Sequence, residues 1–167
     1  MIFVEPIIMD PSSLGREVEN LIRAELVEKV QGSVSLKYGY IVCVMKILKI
    51  GQGKVLDTTG NVIFNVEYKA VVMKPMINEL MEGVVEKVES YGVNVTAGLL
   101  RKIFISSNHF PGDFVYDENT NSFKSKDLNE EVKVDSEIRF RVTAINYEMN
   151  QFLCTGTMNE AYLGLTK

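Results

Sequence analysis

The 167-residue chain is short of the residue types on which most site chemistry is built. It has one histidine, His109, and two cysteines, Cys43 and Cys154. A dyad that needs histidine would rest on a single ring in a polar loop, and an ordinary loop histidine is the simpler reading. Neither cysteine has a second ligand at metal or disulfide spacing. Both sit in strand-like surroundings, "IVCVM" and "FLCTGT", as small buried hydrophobes. No apolar run approaches the ~18 residues that cross a bilayer. The first residues, "MIFVEPIIMDP", lack a basic region and carry an acid and a proline within the apolar stretch, so they do not read as a secretory signal and an intracellular protein is expected. A surplus of one charge is also missing. The net charge is −4, with 9 basic and 10 acidic residues in 1–82 and 9 and 12 in 83–167, so no global field attracts nucleic acid.

What the chain does have is pattern. In "NVIFNVEYKAVVMKP", residues 61–75, every second letter from Val62 gives Val62, Phe64, Val66, Tyr68, Ala70 and Val72, a nearly apolar row. The intervening row is polar in its middle, as an antiparallel strand with one face on a core requires. Pro75 has no N–H to donate and ends the ladder. With hydrophobic residues at 46% and charged residues at 24%, a packed core is within reach, and the break favours two domains, 1–78 and 79–167. The first reads as a strand over Phe3–Met9, an amphipathic helix and an antiparallel sheet. Leu14, Val18, Leu21, Ile22, Leu26 and Val30 recur at helical spacing over about five turns, with Asp10 or Ser13 as the cap and Gly32 at the stop.

The second domain shows strand patterns only: 83–96, 102–106, 138–147 and 152–158, with "EMNQ" as a turn between the last two. The polar stretch from 106 to 132 is rich in Pro, Gly, Asn and Asp and reads as an extended loop. The fold class is therefore α+β, a helix-covered sheet followed by an all-β unit most economically built as a five-stranded OB-type barrel.

Several blocks carry a resemblance: "VQGSVSLKYGYIVCV", "GKVLDTTGNVIFNVEYKAVVMKP", "EGVV" with "YGVNV", and the closing "NEAYLG". In order and spacing, essentially end to end, they resemble the stalk subunit of eukaryotic RNA polymerase II, the seventh-subunit family. Related stalk families serve RNA polymerases I and III and the archaeal polymerase. The resemblance implies a truncated RNP-like tip domain followed by an S1-like OB-fold barrel. It also implies a nuclear, non-catalytic subunit with no cofactor or metal of its own, paired with a small helical fourth subunit. The tip would plug the heterodimer into the polymerase core, including the largest subunits, beside the exit path of nascent single-stranded RNA. By position, Pro11, Ser12, Ser13, Leu14 and Gly15, with the tip loop Leu56, Asp57, Thr58, Thr59, Gly60 and Asn61, would face the core.

An S1-like barrel would stack bases on aromatic side chains and meet phosphates with basic ones. Tyr91 matches the first aromatic position of that pattern. Asn94 stands where many such domains have Phe, Phe104 where they often have His, and Gln151 near the usual last basic position. Weak, sequence-tolerant RNA contact is expected from Tyr91, Arg101, Lys102, Phe104, Arg139 and Arg141. The competing reading makes the aromatics core or partner-facing and the arginines solvated. "GQGK" lacks P-loop spacing and a following helix. The sequon at Asn94 lies in a strand, and Asp113, Asp117 and Glu118 lack the spacing of a calcium loop. Two other functions remain to be weighed: a free-standing RNA-binding module, which would need affinity without a partner, and an enzyme, which would need convergent titratable groups.

Overall fold

In the computed structural model, which describes residues 1–166, the alternating stretch is the long central strand of the first of two units, Met1–Lys74 and Pro75–Lys167. The first unit runs β1 (Ile2–Met9), a 3-10 turn (Pro11–Ser13), α1 (Val18–Val30), β2 (Val34–Ser35), β3 (Gly39–Ile50), β4 (Lys54–Val55) and β5 (Val62–Met73). Its sheet has the order β1-β5-β3-β2, with β4 also on β5. Val62, Val66, Tyr68 and Ala70 are buried while Asn65 and Lys69 are exposed, as period two demands. Ile22, Leu26 and Val30 of α1 pack on this row together with Ile7 and Met9 of β1 and Ile41 of β3. Lys29 ties the helix end to β1 through Glu5 at 2.8 Å and the Pro6 carbonyl at 2.9 Å.

The helix is shorter than the periodicity predicts. It spans 13 residues, with Leu14 outside it and Leu21 exposed on it at 43%. Asp10 spends its cap on the 3-10 turn, accepting from the Ser12 N–H at 2.9 Å and its hydroxyl at 2.8 Å. Leu14 then turns extended, and the backbone freedom of Gly15 makes a further helical turn there entropically costly. At the other end the helix stops at Val30 and Gly32 takes φ +79, donating to the Ile41 carbonyl at 2.8 Å.

The second unit contains β6 (Leu80–Glu89), β7 (Gly92–Ala97), β8 (Leu100–Ser106), a 3-10 turn (Ser107–His109), β9 (Phe114–Asp117), β10 (Ser122–Ser125), β11 (Glu131–Val132), β12 (Glu137–Glu148), β13 (Gln151–Thr157) and β14 (Gly164–Leu165). Strands β6, β7, β8, β13 and β12 close into a barrel, because β13 pairs with both β8, in parallel, and β12. Its interior is lined by fully buried residues such as Val85, Val93, Leu100, Ile103, Ile105, Ile138, Phe140 and Val142. The Met149-Asn150 turn takes φ 48 and 57, the geometry of a two-residue hairpin.

Two expectations change here. The pattern over 83–96 is a hairpin, β6 and β7 joined at Ser90-Tyr91, because Glu89 pairs with Gly92. The stretch from 106 to 132 is no simple loop; β9, β10 and β11 form a separate antiparallel sheet. Its turn residues are real, but Phe110, Phe114, Tyr116 and Phe123 cluster, with Phe110 and Phe123 centroids 4.7 Å apart and Phe123 only 2% exposed. Aromatic burial supplies a small core that turn chemistry alone does not reveal. No helix among the described residues is long and apolar enough to cross a membrane.

Candidate nucleic-acid interface

Barrel strands alternate inward and outward, so the inward Ile103 and Ile105 of β8 leave Lys102 and Phe104 on the outer surface. Asn94 of β7 lies opposite Phe104 in the register. The Phe104 ring rests over Gly92, where a Cβ would strike both that ring and the Ile105 carbonyl. Glycine is therefore needed for the ring to lie flat against β7. Tyr91, 58% exposed at the hairpin turn, brings its ring to 5.8 Å from Phe104 at 42°. Its carbonyl accepts from the Ser107 N–H at 2.9 Å, which fixes the turn.

Beside this pair runs an open groove of about 660 Å³ lined by three cations, Lys87, Arg101 and Lys102, one carboxylate, Glu86, and by Asn94, Phe104 and Leu153 among others. A β-bulge between Val85 and Lys87 turns the Lys87 ammonium to this surface. Lys87 bonds Glu89, and Tyr91 donates its hydroxyl to the same carboxylate. The Lys87 contact, followed by the Tyr91 bond, lowers the Glu89 pKa. Glu89 in turn raises the pKa of Lys87 and, with some desolvation, of Tyr91. The bond to Glu89 thus orients the phenol.

The six candidate RNA residues fall into two groups. Tyr91, Phe104, Arg101 and Lys102 meet around one groove. Arg139 and Arg141 lie on β12, where Arg139 pairs with Glu82 and Arg141 reaches Glu160 at 2.8 Å and the Asn78 carbonyl at 3.1 Å. Lys87 and Glu89 were not among the sequence candidates, since the bulge that turns Lys87 outward leaves no mark in the letters. His109 is exposed, and its carbonyl accepts from the Met158 N–H at 2.8 Å. Asp117 holds Lys124 at 2.8 Å, and that hydrogen bond lowers its pKa. Cys154 is buried, which pushes its thiol up to about 11.

In the first unit, the register that pairs Met9 with Val62 brings Pro11–Ser13 and the loop from Leu56 to Asn61 to one end of the sheet. The loop is closed by bonds from the Leu56 N–H to the Asn61 carbonyl, 2.7 Å, and from the Gly60 N–H to the Leu56 carbonyl, 2.8 Å. Gly60 takes φ +73, and Asp57, Thr58 and Thr59 are exposed.

Fold and site together define a two-unit, β-rich protein: a sheet backed by one helix, then a barrel whose outer face carries an aromatic pair beside a basic groove. Residues 7–60 match the family model described as the SHS2 domain found in the N terminus of Rpb7p/Rpc25p/MJ0397. Residues 79–164 match that of RNA polymerase III subunit Rpc25. The chain is 30% identical over 159 residues to DNA-directed RNA polymerase II subunit rpb7 of Dictyostelium discoideum, covering 94% of this chain and 92% of that one. It is 30% identical over 160 residues to RPB7 of Saccharomyces cerevisiae, with 95% and 93% covered. It is 30% identical over 150 residues to DNA-directed RNA polymerase V subunit 7 of Arabidopsis thaliana, with 86% and 84% covered. The chain belongs to the Rpb7/Rpc25 family of DNA-directed RNA polymerase subunits.

Proposed function

We propose that the chain is the non-catalytic stalk subunit of RNA polymerase II, acting in the nucleus in transcription initiation and elongation. The observation that carries this reading is the end-to-end likeness to subunits named for polymerase II. In it the first unit, Met1–Lys74, is an RNP-like tip and the second, Pro75–Lys167, an S1-like OB barrel. A small helical fourth subunit completes a heterodimer. The segments Pro11–Gly15 and Leu56–Asn61 bear on the polymerase core near the clamp. Their common location at one end of the sheet supports this, since a plug needs its contacts gathered at a tip.

The barrel contacts nascent RNA weakly through Tyr91, Phe104, Arg101 and Lys102. Stacking on an exposed ring pair and phosphate contact by two cations suit a single strand without sequence preference. Arg139 and Arg141, already paired with carboxylates, have less charge to offer it.

A second reading has its own support: the match of residues 79–164 to the Rpc25 model favours polymerase III. Affinity purification of the tagged chain from its own cells at moderate salt, with mass spectrometry of the stoichiometric proteins, separates the two. Recovery of the largest polymerase II subunits with one small helical protein is expected. Recovery of the largest polymerase III subunits transfers the assignment, and RNA-processing factors without polymerase overturn both.

A further inference from the structure

The sheet of the first unit has two faces, and α1 covers one. On the other, the strand registers set out cross-strand rungs. Ile2 stands beside Lys69, which faces Lys46; Val4 stands beside Glu67, which faces Lys49; Ile8 stands beside Ile63, which faces Lys54. These four lysines are exposed, and none has an ion-pair partner among the described residues. Lys46 and Lys69 are direct cross-strand neighbours, an arrangement of like charge that weakens a sheet left to itself. Aliphatic side chains stand beside the lysines on β1 and between them on β3. Ile2, Val4 and Ile8 of β1 are 54–62% exposed, and Met45 and Leu48, at bulges of β3, are 56% and 43% exposed.

A lane of four lysines that holds one carboxylate, Glu67, and is bordered and interrupted by aliphatic side chains asks for further anions carried on an apolar frame. A single-stranded nucleic acid supplies the anion but also needs rings on which its bases stack, and no aromatic ring stands on these rungs. We propose that this open sheet face docks a protein segment that is both acidic and aliphatic. Its carboxylates separate the charges of Lys46 and Lys69, and its apolar side chains cover β1 and the bulges of β3. The inference goes beyond the polymerase reading and holds whichever polymerase contains the chain.

The test uses the full chain and a labelled synthetic amphipathic peptide of glutamate and leucine, followed by fluorescence anisotropy, with melting temperature measured in parallel. K46E should weaken the peptide about tenfold and at the same time raise the melting temperature, because opposite charges then face each other across β3 and β5. R23E, the same charge change on the exposed side of α1, should leave binding unchanged. A residue that merely supports the fold would not lose binding while gaining stability. The proposal is overturned if R23E weakens binding as much as K46E, or if a peptide with lysine in place of glutamate binds equally well. It is also overturned if labelled oligouridylate binds this face more tightly and in a K46E-sensitive way, or if the chain self-associates in sedimentation through a contact that K46E abolishes.

Discussion

Glu89 joins two functions at the level of single residues. It accepts from the Tyr91 hydroxyl and from Lys87, so it fixes the outer ring of the aromatic pair while cancelling a nearby positive charge. Y91A should lower affinity for oligouridylate by about 1–3 kcal/mol, the range for one lost stacking ring, as read by anisotropy at fixed salt. A loss restricted to R139A and R141A would move the interface to β12. Cys154 poses a different problem, because burial disfavours its thiolate and sets the native pKa near 11 against 9.0 for the free group. At pH 8 only about one thiol in a thousand is ionised, so native Cys154 should resist iodoacetamide until the barrel unfolds. Below pH 9 both states hold the proton and stability is unaffected by this group; from pH 9 towards 11 the unfolded state loses it first, and stability falls as pH rises. Native alkylation as fast as that of the denatured chain would show that the thiol is not buried.

Among the elements, strands with strict alternation are legible from the letters and those shaped by tertiary packing are not. Val62–Met73 reads directly because every second side chain meets the same core. The small sheet of β9, β10 and β11 does not, since its strands are two to four residues long and its aromatics converge only in three dimensions. Periodicity overestimates the helix for a related reason: Leu14 keeps the period, but Asp10 caps a separate 3-10 turn that ends where Leu14 turns extended, before the helix begins. F123A should empty the centre of the small sheet at a cost of roughly 3–5 kcal/mol, seen as lost protection of β9 and β10 amides in hydrogen exchange. The segment from Leu56 to Asn61 calls for the opposite experiment, because its side chains are mostly exposed and its backbone bonds are local. Replacing it with a short glycine linker should leave the sheet folded, as judged by circular dichroism, and abolish co-purification with the polymerase core. Undiminished association would remove this loop from the core contact.

At the scale of the whole molecule, a net charge of −4 means that the proposed RNA contact rests on a local surface rather than a global field. The number of cations that act can be read from salt dependence, because each phosphate neutralised on a single strand contributes about −0.7 to the slope of log K against log salt. Around the groove stand Lys87, Arg101 and Lys102, yet Lys87 is already bonded to Glu89. Two free cations give a slope of about −1.4, whereas three would give about −2.1. The wild-type chain should show the shallower value, and E89Q should steepen it towards the other by releasing Lys87. The same substitution leaves Tyr91 an amide oxygen to bond, so stacking is retained and the change falls on charge alone. A wild-type slope near about −2.1 that E89Q does not alter would mean that Lys87 reaches phosphate in spite of Glu89. A slope of about −2.8, or about −3.5 with Lys87 also acting, would bring in cations beyond the groove, with Arg139 and Arg141 breaking their carboxylate pairs to join it.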